Sequence, residues 1–198
     1  VATIDRSLFV GYTLFSGTII NALKQTVQGK QMYYLPMAIY GNEVWITLGV
    51  NQRLTYAKTY YVTMDSGLLV DSSNGAFPAI TSSTAWRFST KVSGPATPTP
   101  STGPTTVSVG MDGAGDFATI QGAADWIPQN NTLRRNIRIK PGIYRDIAYF
   151  GPGRNFVTLA GDGATRESVQ LIHLYAAEVY GDGARGLGTL RIDSNDVN

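Results

Sequence analysis

The 198 residues carry a formal charge of +2 and only 15% of them are charged, so the chain lacks the basic footprint of a nucleic-acid-binding protein. It has no cysteine, which excludes a disulfide scaffold and cysteine-ligated zinc or iron–sulfur centres. No run of about 18 apolar residues occurs, so no helical membrane span is expected.

The 22 glycines and 11 tyrosines, with many Thr, Val and Ile, point to a β-rich, turn-rich protein. The chain opens on Val1 without a basic-then-apolar leader, and its last residues alternate like an unfinished strand. Both ends are expected to be cut points in a longer protein.

Residues 1–91 are expected to form an all-β module. In Glu43-Val-Trp-Ile-Thr-Leu48, the side chains of Val44, Ile46 and Leu48 fall on one face, with Trp45 opposite. Residues 59–64 alternate too, and Trp86 shares a face with Phe88. Gly41-Asn42 and Ser73-Asn-Gly75 supply turn chemistry. Short strands so punctuated predict an immunoglobulin-like β-sandwich with its aromatic residues packed in a core.

Residues 92–104 place Pro95, Pro98, Pro100 and Pro104 among small residues. Such a run favours extended, polyproline-like chain and is expected to act as a semi-rigid Pro/Thr linker.

From 105 to 198 the period changes. Phe117, Ile120, Ala123 or Ala124, and Ile127 recur at helical spacing, with Asp116 placed as N-cap and Pro128 closing the segment. Strand candidates follow at 136–140, 145–149, 155–160, 169–174 and 189–193, separated by Gly- and Pro-containing turns. The apolar triplets at 157–159, 171–173 and 190–192 recur at roughly twenty-residue intervals, the range in which repeats mean solenoids. The expectation is a coil-by-coil β-solenoid capped by a helix over 117–127.

Gly113-Ala-Gly115-Asp-Phe-Ala118 fits a dinucleotide fingerprint, but the following strand ends at Lys140-Pro141 where an acid should grip a ribose. Asp116 also brings a negative charge to the position a pyrophosphate would take. A structural turn is the preferred reading. His173 is the only histidine, so a metal site would need carboxylates alone around it; it is taken as a surface or packing residue.

The acids of this region include Asp112, Asp116, Asp125, Asp146, Asp162, Glu167, Asp182, Asp193 and Asp196. Asp162 and Asp182 sit between glycines as turn residues, and no pair stands out for acid–base work on a sugar. Asn130-Asn-Thr132 is a glycosylation sequon or an ordinary loop.

Two stretches resemble known families. Leu54-Thr-Tyr-Ala-Lys-Thr-Tyr-Tyr-Val-Thr-Met-Asp-Ser-Gly67, with Val70-Asp71, Ala76-Phe77 and Trp86-Arg-Phe-Ser-Thr90, resembles bacterial Ig-like domains of surface-layer and secreted proteins. Asp112-Gly113 and Gly115-Asp-Phe-Ala-Thr-Ile-Gln121 with Ala123, then Ile137-Arg-Ile-Lys-Pro-Gly-Ile-Tyr144 and Val157-Thr-Leu-Ala-Gly-Asp-Gly163, resemble the opening of a pectin methylesterase (pectinesterase). Asp146 stands where that family more often has Glu.

The second resemblance implies a right-handed parallel β-helix that hydrolyses methyl esters of galacturonan. An aspartate nucleophile, an aspartate acid–base, oxyanion-hole glutamines and an orienting arginine would do the chemistry, without metal or cofactor. The motifs that carry those residues are absent from this chain, so no catalytic, cofactor-binding or metal-binding residue is assigned.

The expected whole is an all-β protein. An Ig-like module (1–91) and a linker (92–104) precede the first coils of the β-helix (105–198). It is expected to be extracellular (secreted) or at the cell surface, monomeric at full length, to act on pectin, and to bind no nucleic acid. The rival expectations are a β-helical polysaccharide lyase or glycosidase, and a non-catalytic carbohydrate-binding or adhesion protein.

Overall fold

The computed structural model of the protein describes residues 9–13, 19–34, 37–40, 43–46, 54–69, 71, 73, 75–145, 147–172 and 189–198. They fall into two compact units: Val1–Arg53 with Pro95–Asn198, and Leu54–Gly94.

In the first unit, β1 (Phe9–Thr13), β2 (Ile19–Val27) and β3 (Lys30–Tyr34) form an antiparallel meander in that order. β2 turns into β3 through Gln28 and Gly29, with φ of 50° and 81°. Positive φ at both positions is the type I′ geometry, whose twist matches the flanking strands. β4 (Met37–Tyr40) pairs antiparallel with β5 (Glu43–Ile46), Tyr40 opposite Glu43. Val44 and Ile46, which share a face, are exposed. Gly41, Asn42 and Leu48 lie outside the described residues.

The 54–94 unit is built on a short antiparallel ladder of β6 (Thr59–Tyr61) and β7 (Arg87–Ser89). Tyr60 stacks on Phe88 at 5.8 Å between ring centroids. The turn expected at 73–75 is made by Asp71, whose Oδ1 accepts from the Ser73 and Gly75 amides, both at 2.8 Å. The aromatic core expected here is not formed: Tyr61, Phe77, Trp86 and Phe88 all remain exposed. A two-stranded ribbon has too little apolar area to cover rings of this size on its own.

The remainder of the first unit is a stack of parallel strands. β8 (Thr106–Val109), β9 (Arg135–Ile139) and β12 (Val157–Gly161) form one sheet, in the order β12-β9-β8. β10 (Gly142–Tyr144) pairs with β13 (Val169–Leu171), and β11 (Ala148–Phe150) with β14 (Leu190–Ile192). The chain therefore runs through β9, β10 and β11 in one circuit, then through β12, β13 and β14 in the same order directly against them. A further parallel bridge sets Val197 on Val157. This is coil-on-coil solenoid geometry, as the sequence leads one to expect.

The repeat differs from the expected one. The triplets at 157–159 and 190–192 belong to β12 and β14, and Leu171, which opens the remaining triplet, closes β13; these are three different sheets of one circuit rather than one face in successive coils. His173 itself lies outside the described residues. Pairing instead sets Val157 on Arg135 and Val169 on Gly142. The expected strand at 145–149 likewise straddles a corner between β10 and β11.

The core follows the pleat. Val107 and Val109 of β8, Ile137 and Ile139 of β9, Tyr144 of β10, Ala148 and Phe150 of β11, and Val157 of β12 point inward and are buried. Each large apolar side chain so covered contributes about 1.5–3 kcal/mol relative to exposure. Tyr149 faces the other way, yet it is buried too, because Val27 and Ile147 pack against it.

One helix, α1 (Ile120–Trp126), packs against β8 and β11. It buries Ile120, Ala123 and Ala124, with Ile127 just beyond; the two alanines allow close approach to the strands. It ends at Ile127, whose extended backbone (φ −64°, ψ 123°) is the conformation a following proline imposes.

The N-cap is Thr119, whose side chain accepts from the Gly122 amide at 3.0 Å. The expected cap, Asp116, does something else. Its Oδ2 accepts from both the amide and the hydroxyl of Ser108 at 2.8 Å. Between them, Phe117 adds to the sheet by a single parallel bridge to Val109. The helix starts later than the spacing predicts because Phe117 is spent on that bridge.

The proline-rich stretch also departs from expectation. Thr99 and Thr102 close a compact turn through their hydroxyls at 2.6 Å, and Pro98 is buried. Trp126 Nε1 donates to Ala96 O at 2.9 Å, and the Thr132 amide to Pro100 O at 2.9 Å. The segment is a strap bonded to the stack rather than a free extended spacer, because β9 supplies a buried cation for its carbonyls.

Candidate functional site

That cation is Arg135. It occupies the inward register of β9 with Ile137 and Ile139, and is fully buried. Its Nη2 donates to Thr99 O at 2.7 Å and Thr102 O at 2.9 Å, and its Nη1 to Gly103 O at 3.3 Å and to Pro104 O. Nε donates to Asn131 Oδ1 at 3.2 Å, and the guanidinium lies 5.8 Å from the Trp126 ring centroid. Burial lowers its pKa from the ordinary arginine value, yet an arginine stays protonated under such a shift. Among these contacts the charge meets carbonyl dipoles and the Trp126 ring but no carboxylate, which suits an anchor and not a reactive group.

Asn131 extends the polar line. Its Nδ2 donates to Leu133 O at 2.7 Å and to Asn155 O at 2.6 Å. One coil further, the Asn195 amide donates to Asn155 Oδ1 at 2.9 Å. The sequon at 130–132 therefore has a structural explanation for each residue. Asn130 takes a left-handed φ of 56°, which asparagine tolerates; Asn131 joins the buried line; and Thr132 bonds Pro100.

A second polar cluster lies along the outer edge of β11. Gln121 from α1 meets that edge as a strand would: its Oε1 accepts from the Tyr149 amide at 2.8 Å, and its Nε2 donates to Tyr149 O at 3.4 Å. Two residues on, Gln28 Oε1 accepts from the Gly151 amide at 2.8 Å. Both glutamines also donate to Asp125 Oδ1 at 2.9 Å.

On the other side of Tyr149, its hydroxyl donates to Asp193 Oδ2 at 3.1 Å, and Arg191 Nη2 reaches the same oxygen at 2.9 Å. Burial first, then the hydrogen bond and charge of Asp193, raise the Tyr149 pKa above its ordinary 10. Burial lowers that of Arg154, against the opposing pull of Asp125.

The described acids among those singled out from the sequence are thus structurally committed. Asp112 accepts from the Ala114 amide at 2.9 Å. Asp116 holds Ser108, Asp125 gathers the glutamines, and Asp193 joins Tyr149 to Arg191. Asp162 pairs with Arg138 at 2.5 Å, Asp196 with Arg134 at 2.7 Å and Glu167 with Arg166 at 2.6 Å. The Arg166 hydrogen bond keeps the Glu167 carboxyl below its ordinary range. Asp146 and Asp182 lie outside the described residues.

Among the described residues, no group of three or more His, Cys, Asp or Glu side chains could hold a metal ion. A shallow open groove is lined by Gly161, Gly163, Ala164, Thr165, Arg166 and Val169, with no buried polar group aimed into it. The arrangement as a whole shapes and seals a scaffold. Arg135, Asn131, Gln28 and Gln121 carry it; the sequence marks Asn131 only as part of the sequon and Gln121 only as part of the pectinesterase-like stretch, and the signal for Arg135 is its inward register with Ile137 and Ile139.

No protein-family model matches the chain. Pectinesterase 31 of Arabidopsis thaliana is 35% identical over 97 residues, which cover 46% of this chain and 31% of that protein. Pectinesterase 4 of Arabidopsis thaliana is 41% identical over 58 residues, covering 29% of this chain and 10% of that protein. Pectinesterase 1 of Citrus sinensis is 40% identical over 58 residues, again 29% and 10%.

A solved structure of pectin methylesterase from carrot aligns with 46% of this chain and 36% of its own, at 24% identity and a TM-score of 0.40. No helix among the described residues is long and apolar enough to cross a membrane. The chain spans less than a third of the length of Pectinesterase 31, and over that shared stretch it is similar to it.

Proposed function

We propose that the chain is the N-terminal portion of a secreted pectinesterase, a carboxylic ester hydrolase acting on the methyl esters of galacturonan in the plant cell wall. The observation that carries this reading is the 35% identity over 97 residues to Pectinesterase 31. The coil-on-coil parallel pairing of β9, β10 and β11 with β12, β13 and β14 agrees with it.

In this proposal residues 105–198 open a right-handed β-helix and residues 1–91 form an Ig-like module before it. The 92–104 segment is then a bonded strap joining them. The catalytic carboxylates and oxyanion donors belong to coils downstream in the longer protein. Ester hydrolysis requires an activated nucleophile and pre-placed donors, whereas the acids of this chain described above are held in structural bonds.

Methanol release from methylated pectin tests the proposal. The longer protein is expected to release methanol and this chain alone is expected to release none. Unsaturated uronate ends from the longer protein would identify a lyase instead. Binding without any turnover would identify an adhesion protein.

A further inference from the structure

We draw no further inference here: the strongest candidate, the exposed aromatic surface of Tyr61, Trp86 and Phe88 on the β6–β7 ladder of the 54–94 unit, carries none because nothing in the structure shows what covers it.

Discussion

Arg135 and Asn131 meet inside the protein, Nε to Oδ1 at 3.2 Å, with exposures of 0% and 1%. Through this contact the proline-rich strap and the corners of successive coils share one polar line. Among the described residues the strap has no sheet partner of its own, and its carbonyls at Thr99, Thr102, Gly103 and Pro104 turn to the guanidinium. Arg135→Met is expected to destabilise the protein by about 3 kcal/mol, since a stranded buried carbonyl costs about 1–3 kcal/mol and opening the strap lets water relieve some of them. Denaturant unfolding measures the loss, and limited proteolysis between 99 and 104 locates it. Arg135→Lys is expected to recover less than half, because one ammonium cannot reproduce a planar five-donor fork. Full recovery by lysine would show that charge alone suffices.

Asn131→Ala removes the acceptor for Arg135 and the donor to Asn155. It is expected to cost about 1–3 kcal/mol. Combined with Arg135→Met, the two losses are expected to fall short of additivity by about 0.5–3 kcal/mol, as for residues of one hydrogen-bond network. Simple additivity in a double-mutant cycle would mean that strap and corner are independent.

Gln121 replaces a missing neighbour strand at the edge of β11. Gln121→Ala is expected to remove these two hydrogen bonds from the Tyr149 amide and carbonyl and to cost about 1–3 kcal/mol. Exposed strand edges also recruit other chains, so the variant is expected to aggregate sooner on heating. Amide exchange at Tyr149 reads the cap directly; unchanged protection there would overturn the assignment.

The two candidate helix caps separate by experiment. Thr119→Ala is expected to cost about 1 kcal/mol, the usual value for losing an N-cap hydroxyl, and to raise exchange at the Gly122 amide. Asp116→Ala is expected to raise exchange at the Ser108 amide and to leave Gly122 protected. The reverse pattern would restore Asp116 as the cap.

Tyr144 and Tyr149 both have pKa values raised by burial above the ordinary 10, with Asp112 adding to the first and Asp193 to the second. A raised folded-state value means that the folded protein holds the proton more tightly than the unfolded chain. The stabilisation is therefore complete below about pH 10 and is lost as pH rises through the folded values. Thermal midpoints are expected to be flat from pH 8 to about 9.5 and to fall above pH 10. The double variant Tyr144→Phe, Tyr149→Phe is expected to flatten that fall. An equally steep decline in the variant would assign it to other groups.

Several elements are legible from local pattern. The alternation of Ile137 and Ile139 and the apolar Val157 and Leu159 mark strands on a core, and Pro141-Gly142 marks the corner after β9. Ile120, Ala123, Ala124 and Ile127 mark a helix by their spacing, and Pro128 marks its end. The similarity to pectinesterases rests on the same kind of short, ordered run. Each of these signals is a property of neighbouring residues, so a reader of the chain can find it without knowing what lies across the core.

Other features are decided elsewhere. That β12, β13 and β14 occupy three sheets of one circuit depends on which earlier strand each one meets, and parallel partners are joined through long intervening chain. That Arg135 turns inward depends on carbonyls from 99 to 104, and that Asp116 holds Ser108 depends on Phe117 joining the sheet. A polar side chain enters a core only where another segment brings its partners. Local sequence supplied the strands, turns and helix of this protein. The stacking order, the buried polar line and the capped edge came from segments meeting in three dimensions, since satisfying a buried charge or a bare strand edge is a problem that no short stretch of chain solves alone.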